Sequence, residues 1–208
     1  MIWLTDKIEF PPYKLTTDDG IIALGGDLSE ERLTYAYQNG IFPWFSEGDP
    51  IVWYCPYERM VLFPDEIKVS KSMRKIIKKN QFTITENKAF KEVIYNCKNI
   101  TRSDGFGTWI TDDMEQAYIN LHKSGVAKSI EIWLNDELVG GLYGLEINTI
   151  FCGESMFSKV SNASKLAFIH LAKTKDYTLI DCQVYNEHLE SLGAREIDRN
   201  TFLEILKA

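Results

Sequence analysis

From Ser129 to Ser158 the hydrophobic spacing of the chain is that of a strand, and it stays so through three consecutive segments. S-I-E-I-W-L alternates, Asn135-Asp136 turns, E-L-V-G-G-L-Y-G-L-E-I follows, and Asn148 turns again into T-I-F-C-G-E-S-M-F-S. Strands joined by such short turns pair with their sequence neighbours, so this stretch is an antiparallel meander. An apolar helix (A-S-K-L-A-F-I-H-L-A-K, with Asn162 expected as its cap) and a further strand, T-L-I-D-C-Q-V, come next. The rest of the chain is arranged around this sheet.

Upstream the signals are mixed. Gly25-Gly26 permits a sharp bend, Ser29 is a good helix cap with Glu30 and Glu31 in the first turn, and Leu28 and Leu33 sit at staple positions. Leu33, Ala36 and Tyr37 form the inner face of a short helix over 30–39 that Gly40 stops. I-F-P-W-F-S-E-G-D-P-I-V-W-Y-C-P excludes regular helix. It reads as a rigid aromatic connector, either packing between two units or walling a pocket. Residues 59–69 are strand-like around Pro64. Ser70 caps a helix to Lys79 with Met73, Ile76 and Ile77 inward. F-T-I-T is a strand. Asn87 begins a helix striped by Phe90, Val93, Ile94 and Cys97, and a polar glycine loop runs over 99–108. Thr111 caps a helix striped by Met114, Ala117, Tyr118 and Leu121. After T-L-I-D-C-Q-V come a short helix from Asn186, a strand A-R-E-I, and a last helix capped by Asp198. The expected organisation is α+β: a small aromatic-rich N-terminal domain over 1–57 and an α/β domain over 58–208. The larger domain has a mixed, largely antiparallel sheet in an N-acetyltransferase-like (GNAT-like) order.

Composition narrows the function classes. No apolar run approaches the ~20 residues a membrane helix needs, and M-I-W-L-T-D-K-I-E-F is not a secretory leader. The expectation is a cytoplasmic protein that is not membrane-bound. Cys55, Cys97, Cys152 and Cys182 are scattered, as reduced thiols are, and no metal spacing occurs among His122, His170 and His188. A net charge of −7 argues against nucleic-acid binding by the whole surface. Against that background Lys68, Lys71, Arg74, Lys75, Lys78 and Lys79 crowd into one short stretch. They read either as a solvated helix face or as a phosphate-contact surface.

Two carboxylates stand out. Glu154 lies at a strand end among Phe151 and Phe157, where an unpaired charge is costly. In T-L-I-D-C-Q-V, alternation puts Asp181 and Gln183 on one face. Asp181 can there hold the Gln183 amide, whose carbonyl accepts from an attacking amine; it reads equally as a strand-end cap or salt-bridge partner. Asn186 and His188 lie just beyond. Hydrolase-elbow, Walker and dinucleotide motifs are missing, as is the pyrophosphate loop of acetyl-coenzyme-A transferases.

G-I-I-A-L-G-G-D-L-S, Y-Q-N-G-I-F-P-W-F, G-T-W-I-T, F-C-G-E-S-M-F-S, N-A-S-K and L-I-D-C-Q-V, in that order, resemble the leucyl/phenylalanyl-tRNA–protein transferase family. The resemblance runs from Asp19 to Leu206. It implies transfer of leucine or phenylalanine (methionine less well) from Leu-tRNA or Phe-tRNA to proteins with N-terminal Arg or Lys, marking them for N-degron proteolysis. It implies a monomer with no cofactor and no metal. It places the amino-acid pocket on Trp44, Trp109, Phe151, Leu171 and Ile180, and the catalytic pair on Asp181 and Gln183. Glu154 falls near the reacting ends, toward the acceptor's cation or the terminal ribose. Lys71, Arg74, Lys75, Lys78 and Lys79 are then expected to contact tRNA phosphates. Two competing readings are a peptidoglycan- or small-molecule-directed aminoacyl transferase and a tRNA-binding module without catalysis.

Overall fold

The computed structural model describes residues 1–100 and 109–208. The glycine loop expected over 99–108 therefore lies largely outside the described residues. Two sheets organise the rest. The first contains β1 (Trp3–Leu4), β2 (Ile21–Gly25), β3 (Phe42–Pro43) and β4 (Val52–Tyr54), in the order β1-β2-β4-β3. Helix α1 (Glu30–Gln38) lies between β2 and β3 in sequence. The Ser29 side chain accepts from the Arg32 N–H, and Leu33, Ala36 and Tyr37 are buried as expected. The aromatic connector is partly ordered as β3 and β4, which pair with each other.

β5 (Glu58–Leu62) opens the second sheet. α2 (Lys71–Lys79), β6 (Thr83–Glu86), α3 (Phe90–Asn99) and α4 (Asp112–Lys123) precede the meander of β7 (Ala127–Leu134), β8 (Glu137–Ile147) and β9 (Ile150–Ser158). Then come α5 (Ala163–Thr174), β10 (Leu179–Gln183), α6 (Glu187–Glu190), β11 (Arg195–Asp198) and α7 (Arg199–Lys207). The order is β11-β5-β10-β9-β8-β7-β6. In this sheet β9 and β10 are parallel, and the other pairs are antiparallel. The α+β class and the mixed, largely antiparallel sheet are as expected. The α5 crossover is what brings β10 back parallel to β9.

Each face of this sheet carries its own apolar cluster. Val93, Ile94, Met114, Tyr118, Leu145, Cys152 and Leu179 join Leu33, Tyr37, Trp53 and Phe202 on one face. Met60, Met73, Ile132, Leu142, Phe151, Leu166, Leu171 and Ile180 fill the other beneath α5 and α2. Each fully buried aliphatic or aromatic side chain contributes about 1.5–3 kcal/mol. Residues of the first sheet thus share a core with the second.

Three local expectations change. Ile77 is exposed, because nine residues of helix leave room for one inward stripe, which Met73 and Ile76 occupy. Asn162 does not cap α5: it is left-handed, at φ 71°, and the Ser158 hydroxyl accepts from the Ser164 N–H instead. Asn87 does not begin α3; its side chain accepts from the Ser129 N–H, and the buried Glu131 carboxylate accepts from the Ala89 N–H at the helix entrance.

Candidate functional site

β9 and β10 pair only over Ile150–Cys152 and Leu179–Asp181. Beyond those residues the ladder ends, and two β-bulges stand at the fork. Between β8 and β9, Tyr143 pairs with Ser155 and Gly144 with Gly153, so Glu154 is the extra residue. Between β5 and β10, Val61 pairs with Asp181 and Met60 with Gln183, so Cys182 is the extra residue. Bulges re-aim side chains and end pairing, as both do here. Gln183 takes a left-handed φ of 65°, held by the Asp181 Oδ1 that accepts its main-chain N–H at 2.9 Å.

The second bulge corrects the alternation argument. The two-residue spacing is interrupted there, because Cys182 is inserted between the pairs Val61–Asp181 and Met60–Gln183. Asp181 does not hold the Gln183 side-chain amide. That amide donates to Glu154 Oε1 at 2.7 Å, bridging the fork.

A cavity of about 390 Å³ opens there. Trp44, Trp109, Phe151 and Leu171 supply its apolar lining, and Glu154, Asp181, Gln183 and His188 its polar one. Ile180 does not line it; it is fully buried in the cluster that also contains Phe151 and Leu171. Gly144 is required beside Phe151, since a Cβ there meets the Phe151 ring at 2.6 Å and the Cys152 carbonyl at 2.2 Å. Lys71, Arg74, Lys75, Lys78 and Lys79 stand apart from the cavity. All are exposed on α2, and among the described residues none is paired with a carboxylate.

Asp181 is wholly buried and locked. The Arg59 Nε donates to Oδ1 at 2.8 Å and its NH2 to Oδ2 at 2.7 Å, a two-point fork. Arg59 in turn donates to the Gly40 carbonyl at 3.1 Å and lies 4.6 Å from both the Phe42 and the Phe202 ring centroids. Gly40 needs its positive φ of 68° to end α1, and any side chain there would strike Leu203. Burial works against the Arg59 charge, but Asp181 outweighs it and holds the guanidinium pKa above its usual value. Asp181 therefore occupies the salt-bridge role that the residues alone left open, and it orients the Gln183 main chain.

Glu154 is met from three other elements. Tyr37 of α1 donates to Oε1 at 2.6 Å, Tyr118 of α4 to Oε2 at 2.9 Å, and Gln183 of β10 to Oε1. The two phenol oxygens lie 2.5 Å apart. Burial raises its pKa, the tyrosine hydrogen bonds oppose that, and the Asp181 charge adds to it; the carboxyl is pushed up from 4.5 to about 8. His188 Nε2 is buried with no hydrogen-bond partner among the described residues, and burial, then Lys165, lowers its pKa. Asn186 joins no such network: it caps α6, accepting from the Leu189 N–H. Among the described residues no group of three His, Cys, Asp or Glu is placed to hold a metal.

Sequence reasoning missed Arg59, Tyr37 and Tyr118 as site residues. Both tyrosines were legible as inward positions of helical stripes. A buried phenol needs a partner for its hydroxyl, and that was the available signal.

The model of the leucyl/phenylalanyl-tRNA protein transferase N-terminal domain matches residues 26–56, and that of leucyl/phenylalanyl-tRNA protein transferase matches residues 61–207. The chain belongs to the leucyl/phenylalanyl-tRNA–protein transferase family. Family members so named from Flavobacterium johnsoniae and Flavobacterium psychrophilum are 58% and 59% identical, each over 100% of both chains. The likeness therefore includes the first 18 residues. A family member from Syntrophus aciditrophicus is 52% identical over 96% of this chain and 85% of its own. The protein is thus an aminoacyltransferase of this family. Among solved structures, FemX aligns at TM-score 0.52 with 11% identity, over 81% of this chain and 66% of its own, a likeness of fold. No described helix is long and apolar enough to cross a membrane.

Proposed function

We propose that the protein moves leucine or phenylalanine, and methionine less well, from its aminoacyl-tRNA to the α-amine of proteins beginning with Arg or Lys. This marks them for N-degron degradation; the enzyme acts as a cytoplasmic monomer and needs no cofactor. The observation that carries this reading is the cavity's polarity. Trp44, Trp109, Phe151 and Leu171 suit an unbranched-β apolar side chain, and Glu154, Asp181 and Gln183 stand at the same cavity. A pocket of this kind separates residues differing by a methylene by only about 1–3 kcal/mol, which accommodates Leu, Phe and Met together. Ile180 supports the pocket from behind.

The reaction is direct aminolysis of an ester already activated on tRNA. Holding amine and ester together supplies about 7–11 kcal/mol at best. Gln183 has its amide nitrogen committed to Glu154, which leaves its carbonyl to accept from the amine and aim the lone pair. Asp181, with both oxygens on Arg59, acts by holding the Gln183 backbone. Labelled leucine is expected to pass from Leu-tRNA to a peptide beginning with Arg. Transfer confined to peptides beginning with Asp or Glu would refute the reading.

α2 meets the tRNA through phosphate contacts, in keeping with tolerance of several tRNAs. Reversing Lys75, Lys78 and Lys79 to Glu is expected to weaken tRNA binding and flatten the slope of log affinity against log salt, measured by filter binding. Unchanged affinity would return that helix to an ordinary solvated face.

A further inference from the structure

We propose that the Glu154 carboxylate, closed into a ring with the Tyr37 and Tyr118 hydroxyls, is the base that takes a proton from the attacking amine. This rests on the aminoacyl-transfer reading and names a proton acceptor that the reading lacks.

The argument is a count of hydrogens. Tyr37, Tyr118 and Glu154 make three oxygen–oxygen contacts, of 2.5, 2.6 and 2.9 Å, that close a ring. Three such contacts need three hydrogens, and two phenols supply two. With Glu154 ionised, one contact must face lone pair to lone pair. With Glu154 protonated, each of the three groups donates once and accepts once around the ring. The geometry is built to receive one proton, and Glu154 also lines the cavity.

Asp181 cannot serve in its place, because Arg59 takes both its oxygens and Oδ1 also holds the Gln183 N–H. The ionisable groups around Glu154 are consistent with the assignment. Tyr37 from α1 and Tyr118 from α4 have pKa values raised first by burial and then by the Glu154 charge, so both stay protonated. Tyr143 from β8 faces Tyr118 edge-on, Cys152 shares the strand, and Asp181 from β10 has its charge countered by Arg59 of β5. A carboxyl near 8 is matched to an α-amine, which ordinarily titrates near ~8, so transfer between them is close to even.

The step balances as follows. The neutral amine attacks the ester carbonyl, and as the nitrogen–carbon bond forms Glu154 takes one proton from the nitrogen. The adduct collapses, breaking the bond to the tRNA ribose oxygen, which leaves with the electron pair and takes that proton from Glu154. The new amide keeps the other nitrogen hydrogen, and Glu154 is ionised again for the next turnover.

Single-turnover transfer from Leu-tRNA is the test, with two acceptors: an Arg-starting peptide and its aminooxy-terminated analogue, whose nitrogen is unprotonated across the neutral range. Wild-type transfer to the aminooxy peptide is expected to rise with pH through an inflection near pH 8, where Glu154 ionises. Glu154→Gln, near-isosteric, is expected to lose about 10²–10⁴-fold in rate with tRNA affinity kept, and the inflection with it. A wild-type profile flat for the aminooxy peptide overturns the proposal even if Glu154→Gln does not fold. So does a Glu154→Gln rate within a few-fold of wild type. Wild type that transfers to neither acceptor overturns the aminoacyl-transfer reading as well.

Discussion

Arg59→Met is expected to destabilise the protein by about 3–5 kcal/mol, measured by urea unfolding at neutral pH. Methionine keeps most of the volume between Phe42 and Phe202 but leaves the Asp181 carboxylate at 0% exposure with no counter-charge. The loss comes from that orphaned charge more than from the bond itself. Arg59→Met combined with Asp181→Leu is therefore expected to recover much of the stability, since a buried pair replaced whole by apolar groups costs little. A double variant as unstable as Arg59→Met alone would place the cost in lost packing. Transfer activity is not expected to return in the double variant, because the Gln183 N–H then has no acceptor and the left-handed turn at Gln183 loses its anchor.

Glu154→Gln is expected to change how stability depends on pH. In the fold the Glu154 carboxyl sits at about 8, against 4.5 when unfolded. Between those values the folded chain holds a proton that the unfolded chain has released. The associated stability is thus fully present below 4.5 and is lost as pH rises toward 8. At 1.36 kcal/mol per pH unit the full swing is on the order of 3–5 kcal/mol. Gln carries no such proton, so Glu154→Gln gains on wild type steadily from mildly acid to mildly alkaline pH. Tyr37 and Tyr118, both well above 10, do not titrate in that window. Subtracting the two stability profiles isolates Glu154, and a difference that does not vary with pH would show that its carboxyl is not held protonated.

This prediction strengthens the kinetic one. A variant that keeps its stability as pH rises and still transfers more slowly cannot owe its slowness to unfolding. It also separates Glu154 from Arg59, whose replacement lowers stability and activity together.

Much of this molecule was legible in its residues. The alternation over S-I-E-I-W-L, the Asn135-Asp136 and Asn148 turns, and the apolar α5 crossover determine the meander and the parallel return of β10. Ser29, Ser70, Thr111 and Asp198 cap the helices they were read to cap, because a side-chain oxygen three residues before an orphan N–H is a local matter. The resemblance carried by F-C-G-E-S-M-F-S and L-I-D-C-Q-V pointed to the family. Residues 154, 181 and 183 were singled out from chemistry and do converge on one cavity.

How they converge was decided only by the tertiary structure. Alternation assumes an unbroken ladder, and both strands at the site break theirs, at Glu154 and at Cys182. A bulge depends on the partner strand's register, which no single strand encodes. For that reason Gln183 reaches Glu154 rather than Asp181. Asp181 meets Arg59, 122 residues away, and Glu154 meets Tyr37, 117 away. The residue types needed at the site were written in the chain; which carboxylate is locked by a cation and which is left to take a proton was determined by what the fold packs against each.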